Sequence, residues 1–324
     1  MNEISPQPDI PYQEAGGPDR ADEKNAFRKS FKAWWQAARP PFYIATLAPL
    51  TLGFTAAVKY SGQARWGLFI LILFGSFVVH LATNLANDLF DHLQGVDAGP
   101  NIGGSRVIQE GKISPKALGA ALLILYSLGL ASAIVIVNMS GQTVLWGLII
   151  FAALSSFFYV APPVKYGHRA LGELFVFINM GLIMTAGTYL ALAGGWDRRV
   201  LALALPVSFM VAGILYYQSL PEIETDLAAG KRTLANLLGK RGAALLFTLW
   251  WPLVWLLMIN LWLSELVSWL VWLVLLTAPL QVKAVKNIRA AGDGDWLGLD
   301  RHGHLVRKLY FSNSILLIVA VALN

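Results

Sequence analysis

The sequence predicts an all-α, polytopic membrane protein with nine spans. Three observations predict it. Of the 324 residues, 56% are hydrophobic and 14% charged, where a soluble domain is nearer half apolar and a quarter charged. The surplus lies in continuous blocks of about 20 residues, the length a helix needs to cross a bilayer, and these blocks lack the alternation of an outer-membrane barrel. The Lys and Arg residues sit between the blocks and fall on one side of them.

The first 25 residues are polar and rich in Pro and Gly, with no apolar core, and predict a disordered tail. We place the tail over 1–30 and the transmembrane domain over 31–324. Spans are expected at 42–60, 66–87, 116–137, 142–161, 170–194, 199–219, 243–262, 265–282 and 308–323. Only "LSE" separates the seventh from the eighth, so a tight hairpin turns there. With the N-terminus in the cytoplasm, 21 Lys and Arg fall inside and four outside. The positive-inside rule therefore favours nine crossings of a bacterial plasma membrane, with the C-terminus outside. The same distribution makes the net charge of +6 a matter of membrane orientation and not of nucleic-acid binding. The tryptophans of "WWPLVWLLMINLWLSELVSWLVW" suit a hairpin at the membrane interface. The chain has no cysteine, which excludes disulfides, thiolate catalysis and Cys-ligated metal.

Two acidic stretches then stand out. "NLANDLFDHLQGVD" ends the second span and "SLPEIETDLAAGKRT" follows the sixth. Both spans run outside to inside, so both stretches reach the cytoplasmic face, and the chain reads as two related four-helix halves plus one helix. Asn87 and Asp91 are four apart, as are Glu222 and Asp226; Asp88 and Asp91 are three apart. Such pairs share a helix face. Carboxylates this close repel, and a helix C-terminus disfavours anions further, so a cation must compensate. With oxygen donors and no thiolate, Mg²⁺ is favoured, because it keeps waters and takes phosphate oxygens beside its carboxylates. Arg106 and Lys112 follow the first motif, and Lys231 and Arg232 follow the second, each group after glycines. A metal clamp flanked by Arg and Lys is a receptor for a diphosphate.

Other polar residues read more plainly. His80, inside the second span, is expected to bond a neighbouring helix, His92 to lie at the surface, and Asn84 to pack between helices. Glu173 and Asn179, costly in lipid, are expected to face an interior.

The motif pair resembles the two aspartate-rich motifs of the UbiA superfamily of intramembrane aromatic prenyltransferases. Asn87, Asp88, Asp91, Gly95 and Asp97 match NDxxDxxxGxD of its menaquinone branch, and Glu222 to Asp226 followed by "AGKRT" matches the second motif. "AARPPF" with Arg39, and "FFYVAPPVKYGHRALGE" with Tyr159, Lys165, Tyr166 and Glu173, are similar to further family segments. The resemblance implies nine helices around a central cavity and transfer of a polyprenyl group from a polyprenyl diphosphate to an aromatic acceptor. In this branch the acceptor is 1,4-dihydroxy-2-naphthoate.

It also implies roles. Asn87, Asp91, Asp97, Glu222 and Asp226 would hold Mg²⁺, with Asp88 and Glu224 as further direct or water-mediated ligands. Arg106, Lys165, Lys231 and Arg232 would bind diphosphate together with Asn87. Asp88, Asp91, Asp226 and Tyr159 would serve catalysis, and Arg39 would take an acceptor carboxylate. The tail would enter sideways from the lipid bilayer. Glu222, after Pro221, stands where the family has Asp, which loosens metal contact there. Rival readings are another acceptor within the family, such as 4-hydroxybenzoate, homogentisate, a chlorin or a lipid, and an ion-coupled transporter built on internal repeats.

Overall fold

The computed structural model describes residues 20–96, 103–294 and 296–324. Among these residues every regular element is helical, apart from one isolated bridge between Arg169 and Arg232. Continuous apolar blocks leave no second partner for backbone polar groups in lipid, and a helix satisfies them within its own segment.

Helix α1 covers Arg20–Ala38, so the expected tail is helical from Arg20 onward. The reason is tertiary: Ala33 and Ala37 are small enough to dock against Leu85, Ala86 and Val107. Residues 1–19 lie outside the described residues. Arg39 takes a left-handed conformation (φ 52°), and a 3₁₀ turn, Pro40–Phe42, leads into α2 (Ile44–Ser61). The two helical segments meet at 49°.

The chain continues through α3 (Trp66–Leu93), α4 (Pro115–Ser140) and α5 (Leu145–Phe158). Then come α6 (Gly172–Val176), a π-helical stretch Phe177–Ile183 and α7 (Met184–Ala193), which together make one long element. They are followed by α8 (Arg198–Ser219) and the six-residue α9 (Ile223–Ala228). Helix α10 (Leu234–Leu263) is broken near its start at Gly239. A nine-residue 3₁₀ stretch (Trp269–Thr277) runs into α11 (Ala278–Ala291), and α12 (Gly303–Ala322) ends the fold.

Among the described residues, seven helices are long and apolar enough to cross a membrane, and the bent α1–α2 pair makes eight. The expected span at 142–161 is the short one: α5 has 14 residues. It stops at Tyr159 because Pro162 and Pro163 follow, and proline neither donates to a helix nor allows the preceding residue to stay helical. The other expected spans each coincide with a long helix. Several extend further, since hydropathy marks where lipid ends and not where hydrogen bonding ends. The expected hairpin turns at Ser264–Ser268, with Trp262 and Trp272 in contact (ring centroids 5.6 Å apart).

Close helix crossings hold the bundle. A Cβ on Gly181 would lie 2.0 Å from Ser208 Oγ, and one on Gly53 would lie 2.5 Å from the Thr185 carbonyl. These contacts press α8 onto the π-helical stretch and α2 onto α7. The largest core side chains are Trp251, Tyr216, Tyr217 and Tyr310, all buried. The interior between α2, α3, α5, α7 and α8 is left open.

Candidate active site

Helix α3 runs 28 residues to Leu93, so the first acidic motif rides on its last turns. Asp88 and Asp91, three residues apart, take different partners. Asp88 is buried; it pairs with the Arg39 guanidinium and accepts from both Ser105 Oγ and the Ser105 amide (2.9 Å). Asp91 faces His168, whose Nε2 lies 3.1 Å from Asp91 Oδ1. The expectation that both carboxylates of this motif present to one point is therefore corrected. Ser105 and Arg39 saturate Asp88, because a buried carboxylate needs donors on its own oxygens. Asn84 donates to the Ala38 carbonyl (3.2 Å) and His80 bonds Thr46 (2.6 Å), both helix-packing contacts as expected.

The second motif starts where Pro221 ends α8. Glu222 stands at the N-terminal boundary of α9, and Asp226 sits inside the helix, with no exposed surface. Lys231 Nζ lies 3.2 Å from Asp226 Oδ1, while Oδ2 has no hydrogen-bond partner. Burial pushes the Asp226 carboxyl above its ordinary range. Lys231 opposes this, the negative charge of Asp91 adds to it, and His168 opposes it in turn. Burial pulls the Lys231 ammonium down, but the charges of Asp226, Glu222 and Asp91 outweigh that and leave it raised. The two motifs thus share one electrostatic neighbourhood. Glu224 does not belong to it: its side chain is 68% exposed and pairs with Lys240 at 2.7 Å. In a six-residue helix, a residue two positions before Asp226 points about 200° away, which is why the expectation of a ligand at Glu224 fails.

Backbone bonds bring the motifs together. The Ala170 amide donates to the Arg232 carbonyl (2.9 Å) and the Arg232 amide to the His168 carbonyl (3.1 Å). The loop after α5 is thereby stitched to the loop after α9. Gln94, just beyond α3, donates to the Val160 carbonyl (3.0 Å) and ties in the first motif. A polar surface cavity of about 440 Å³ lies at this junction, lined by Gln94, Lys165, His168, Arg169 and Arg232 among others. Lys112 instead pairs with Glu110 (2.5 Å) and Gln36 (2.7 Å). Arg106 sits beside Ser105, within electrostatic reach of Glu110. Asp97 lies outside the described residues.

A second cavity, about 470 Å³ and mostly apolar, runs through the bundle. Arg39, Asn84, Asn87, Tyr159 and Gln218 line it among residues such as Ile72, Leu148 and Gly187. Tyr159 links the two regions. It lines the apolar cavity and is within electrostatic reach of Glu173, Asp91, Asp226 and Glu222. Its ring packs closely on Gly167, where a Cβ would come within 2.9 Å of the ring. Glu173 and Asn179 face inward as expected. Glu173 is buried, and Asn179 lines the cavity while donating to the Phe175 carbonyl (2.9 Å).

The donors suit a hard cation that keeps much of its own shell. Asn87 Oδ1 and Asp226 Oδ2 are buried without a hydrogen-bond partner, an arrangement that costs free energy unless something binds there. Among the described residues, no three His, Asp or Glu side chains converge into a complete metal cage. Mg²⁺ needs no such cage when water and phosphate supply the remaining oxygens. His168 and Ser105 were missed in the sequence. The signal for His168 was its place in a loop on the same face as both motifs; for Ser105 there was none.

The model of the UbiA prenyltransferase family matches residues 46–296. The chain belongs to the UbiA prenyltransferase family. Curated UbiA relatives agree. The 1,4-dihydroxy-2-naphthoate octaprenyltransferase of Haemophilus influenzae is 28% identical over 80% of this chain and 86% of its own length. The enzyme of the same name from Bacillus subtilis is 27% identical over 78% of this chain and 81% of its own. A UbiA homologue from Archaeoglobus fulgidus, solved with GPP and Mg²⁺, shares the fold at a TM-score of 0.61 and 16% identity, over 89% of this chain and 99% of that one. The likeness to that structure is one of fold, an all-helical bundle.

Proposed function

We propose that the chain transfers a polyprenyl group from an allylic polyprenyl diphosphate to 1,4-dihydroxy-2-naphthoate, in a Mg²⁺-dependent reaction on the cytoplasmic side of a bacterial plasma membrane. One observation carries this reading. Asp91, Asp226, Lys231 and His168 share one charged throat, and Tyr159 joins that throat to an apolar cavity of about 470 Å³. A diphosphate with a long apolar tail needs both parts at once. The naphthoate acceptor is supported by the names of the relatives from Haemophilus influenzae and Bacillus subtilis.

Asp91, Asp226 and Asn87 would hold the metal, with Glu222 and, by its place in the motif, Asp97 as further ligands. When bound, Mg²⁺ neutralises charge developing on the leaving diphosphate. Lys231 holds its ammonium charge against Asp226 and lies ready for the same oxygens. Lys165 and Arg232, which line the polar cavity, would carry the further positive charge of the mouth, with Arg106 beside Ser105 as a further candidate for diphosphate. Breaking the allylic C–O bond leaves cationic character on the prenyl carbon, and the Tyr159 ring stands where the head enters the cavity. Asp88 fixes Arg39. The Arg39 Nε is buried without a hydrogen-bond partner and lines the cavity, a donor suited to the acceptor carboxylate. One carboxylate of the throat takes the proton released from the acceptor.

We count nine crossings, with α5 as the short one, in two related halves plus one helix; the 21-to-4 division of Lys and Arg supports a cytoplasmic N-terminus. The test incubates purified protein with labelled prenyl diphosphate, Mg²⁺ and a panel of aromatic acids. Prenylated dihydroxynaphthoate with stoichiometric diphosphate is the expected outcome. Product with 4-hydroxybenzoate alone would move the chain to another acceptor, and solute flux without product would sink the enzyme reading.

A further inference from the structure

Helix α1 carries a surface that the reaction does not use. Phe27, Phe31 and Trp35 are spaced four residues apart and are 74%, 57% and 58% exposed. At about 100° per residue they form one stripe, and Phe31 stacks on Trp35 with ring centroids 5.9 Å apart. Arg28, Lys29 and Lys32 follow on the adjoining face, all exposed. The third face carries Ala33 and Ala37, both buried against α3. The helix is therefore split three ways: one face for the bundle, one apolar, one cationic.

We propose that α1 is an interfacial helix that docks on anionic phospholipid, in the leaflet on the side of the charged throat. The side follows from its contacts. Gln36 donates to the Ser105 carbonyl (2.7 Å), and Arg39, directly after α1, pairs with Asp88. The occupant follows from the charge that flanks the apolar stripe. Within 27–96, 103–294 and 296–324, Arg28, Lys29 and Lys32 have no ion-pair partner. An aromatic stripe flanked by cations sinks into the headgroup–acyl boundary and gains from negative headgroups. Because α1 ends at Ala38, directly before Arg39, docking also steadies the approach of Arg39 to Asp88.

The chain contains no cysteine, so single-cysteine probes report without background. Phe31→Cys carries an environment-sensitive fluorophore in the full-length protein, reconstituted in phosphatidylcholine nanodiscs with or without phosphatidylglycerol. Leu123→Cys, 71% exposed on α4, serves as the lipid control and Asp293→Cys, 82% exposed, as the water control. With phosphatidylglycerol present, the Phe31 probe should be quenched by doxyl-labelled lipid and resist iodide about tenfold better than the Asp293 probe. Omitting phosphatidylglycerol, or introducing Arg28→Gln, Lys29→Gln and Lys32→Gln together, should restore iodide access. Two results would overturn the proposal. In one, iodide reaches the Phe31 probe as freely as the Asp293 probe in every disc. In the other, the probe is shielded from iodide but indifferent to doxyl lipid, to phosphatidylglycerol and to the three cations, so that protein covers the stripe.

Discussion

His168 Nε2 lies 3.1 Å from Asp91 Oδ1, and the backbone carbonyl of the same histidine accepts from the Arg232 amide. One residue thus touches the first acidic motif with its side chain and the basic stretch after the second with its main chain. Removing the ring should loosen Asp91 without unfolding the loop. His168→Ala is expected to lower turnover or raise the Mg²⁺ requirement by about 10- to 100-fold, the usual effect of losing a residue that orients a ligand. His168→Gln, which keeps a donor, should be milder. Initial rates across a Mg²⁺ titration check this; equal losses for both variants at every Mg²⁺ level would contradict it.

Asp91→Asn and Asp226→Asn should each reduce diphosphate release by about 10³-fold or more, since each would remove a carboxylate from the proposed metal site. Glu224→Ala is the control. Its carboxylate is exposed and bonded to Lys240, so activity should stay within about twofold and stability should change by less than about 1 kcal/mol.

The raised Asp226 carboxyl makes a prediction about pH. An acid whose folded pKa exceeds its ordinary value of 3.8 leaves the fold most stable at low pH. Stability then falls as pH rises from that value through the raised one, where the buried group ionises. Without Mg²⁺, the detergent melting temperature of the wild type should decline over that interval. Asp226→Asn should flatten the decline and melt higher at neutral pH while being inactive. Parallel melting curves for the two proteins would show that burial of this charge is not limiting.

Gly181 allows the π-helical stretch to press on α8, and a Cβ there would meet Ser208 Oγ at 2.0 Å and Ser208 Cα at 2.3 Å. Gly181→Ala should destabilise by about 1–3 kcal/mol through overpacking. Gly147→Ala, with nothing within 4 Å, should be neutral or stabilise by up to about 1 kcal/mol through helix propensity. Denaturation in mild detergent separates the two.

Gly187 lines the cavity 15 residues beyond Gly172, about 22 Å along the helix from the throat. Gly187→Phe should leave turnover with geranyl diphosphate near the wild-type rate and reduce it about tenfold or more with an octaprenyl diphosphate, because a small-to-large change fills only the far end. Equal rates on both would place the tail elsewhere.

Much of this was legible in the chain. The apolar blocks dictated helices, because backbone groups in lipid have no other partner; among the described residues seven helices, or eight with the bent α1–α2 pair, are long and apolar enough to cross. The acidic motifs announced their shared side through the direction of the spans that carry them. The tertiary structure decided what spacing could not. Asp88 and Asp91 look equivalent at three residues apart, yet Ser105 and Arg39, from distant segments, take one carboxylate, and His168 takes the other. Glu224 looks like a ligand between Glu222 and Asp226, but a helix of six residues turns it to Lys240. Helicity is a local property and can be read from a local pattern. The partner of a buried charge depends on which loops are folded against it, and only the packed chain brings His168, Arg232 and Asp91 into reach of one another.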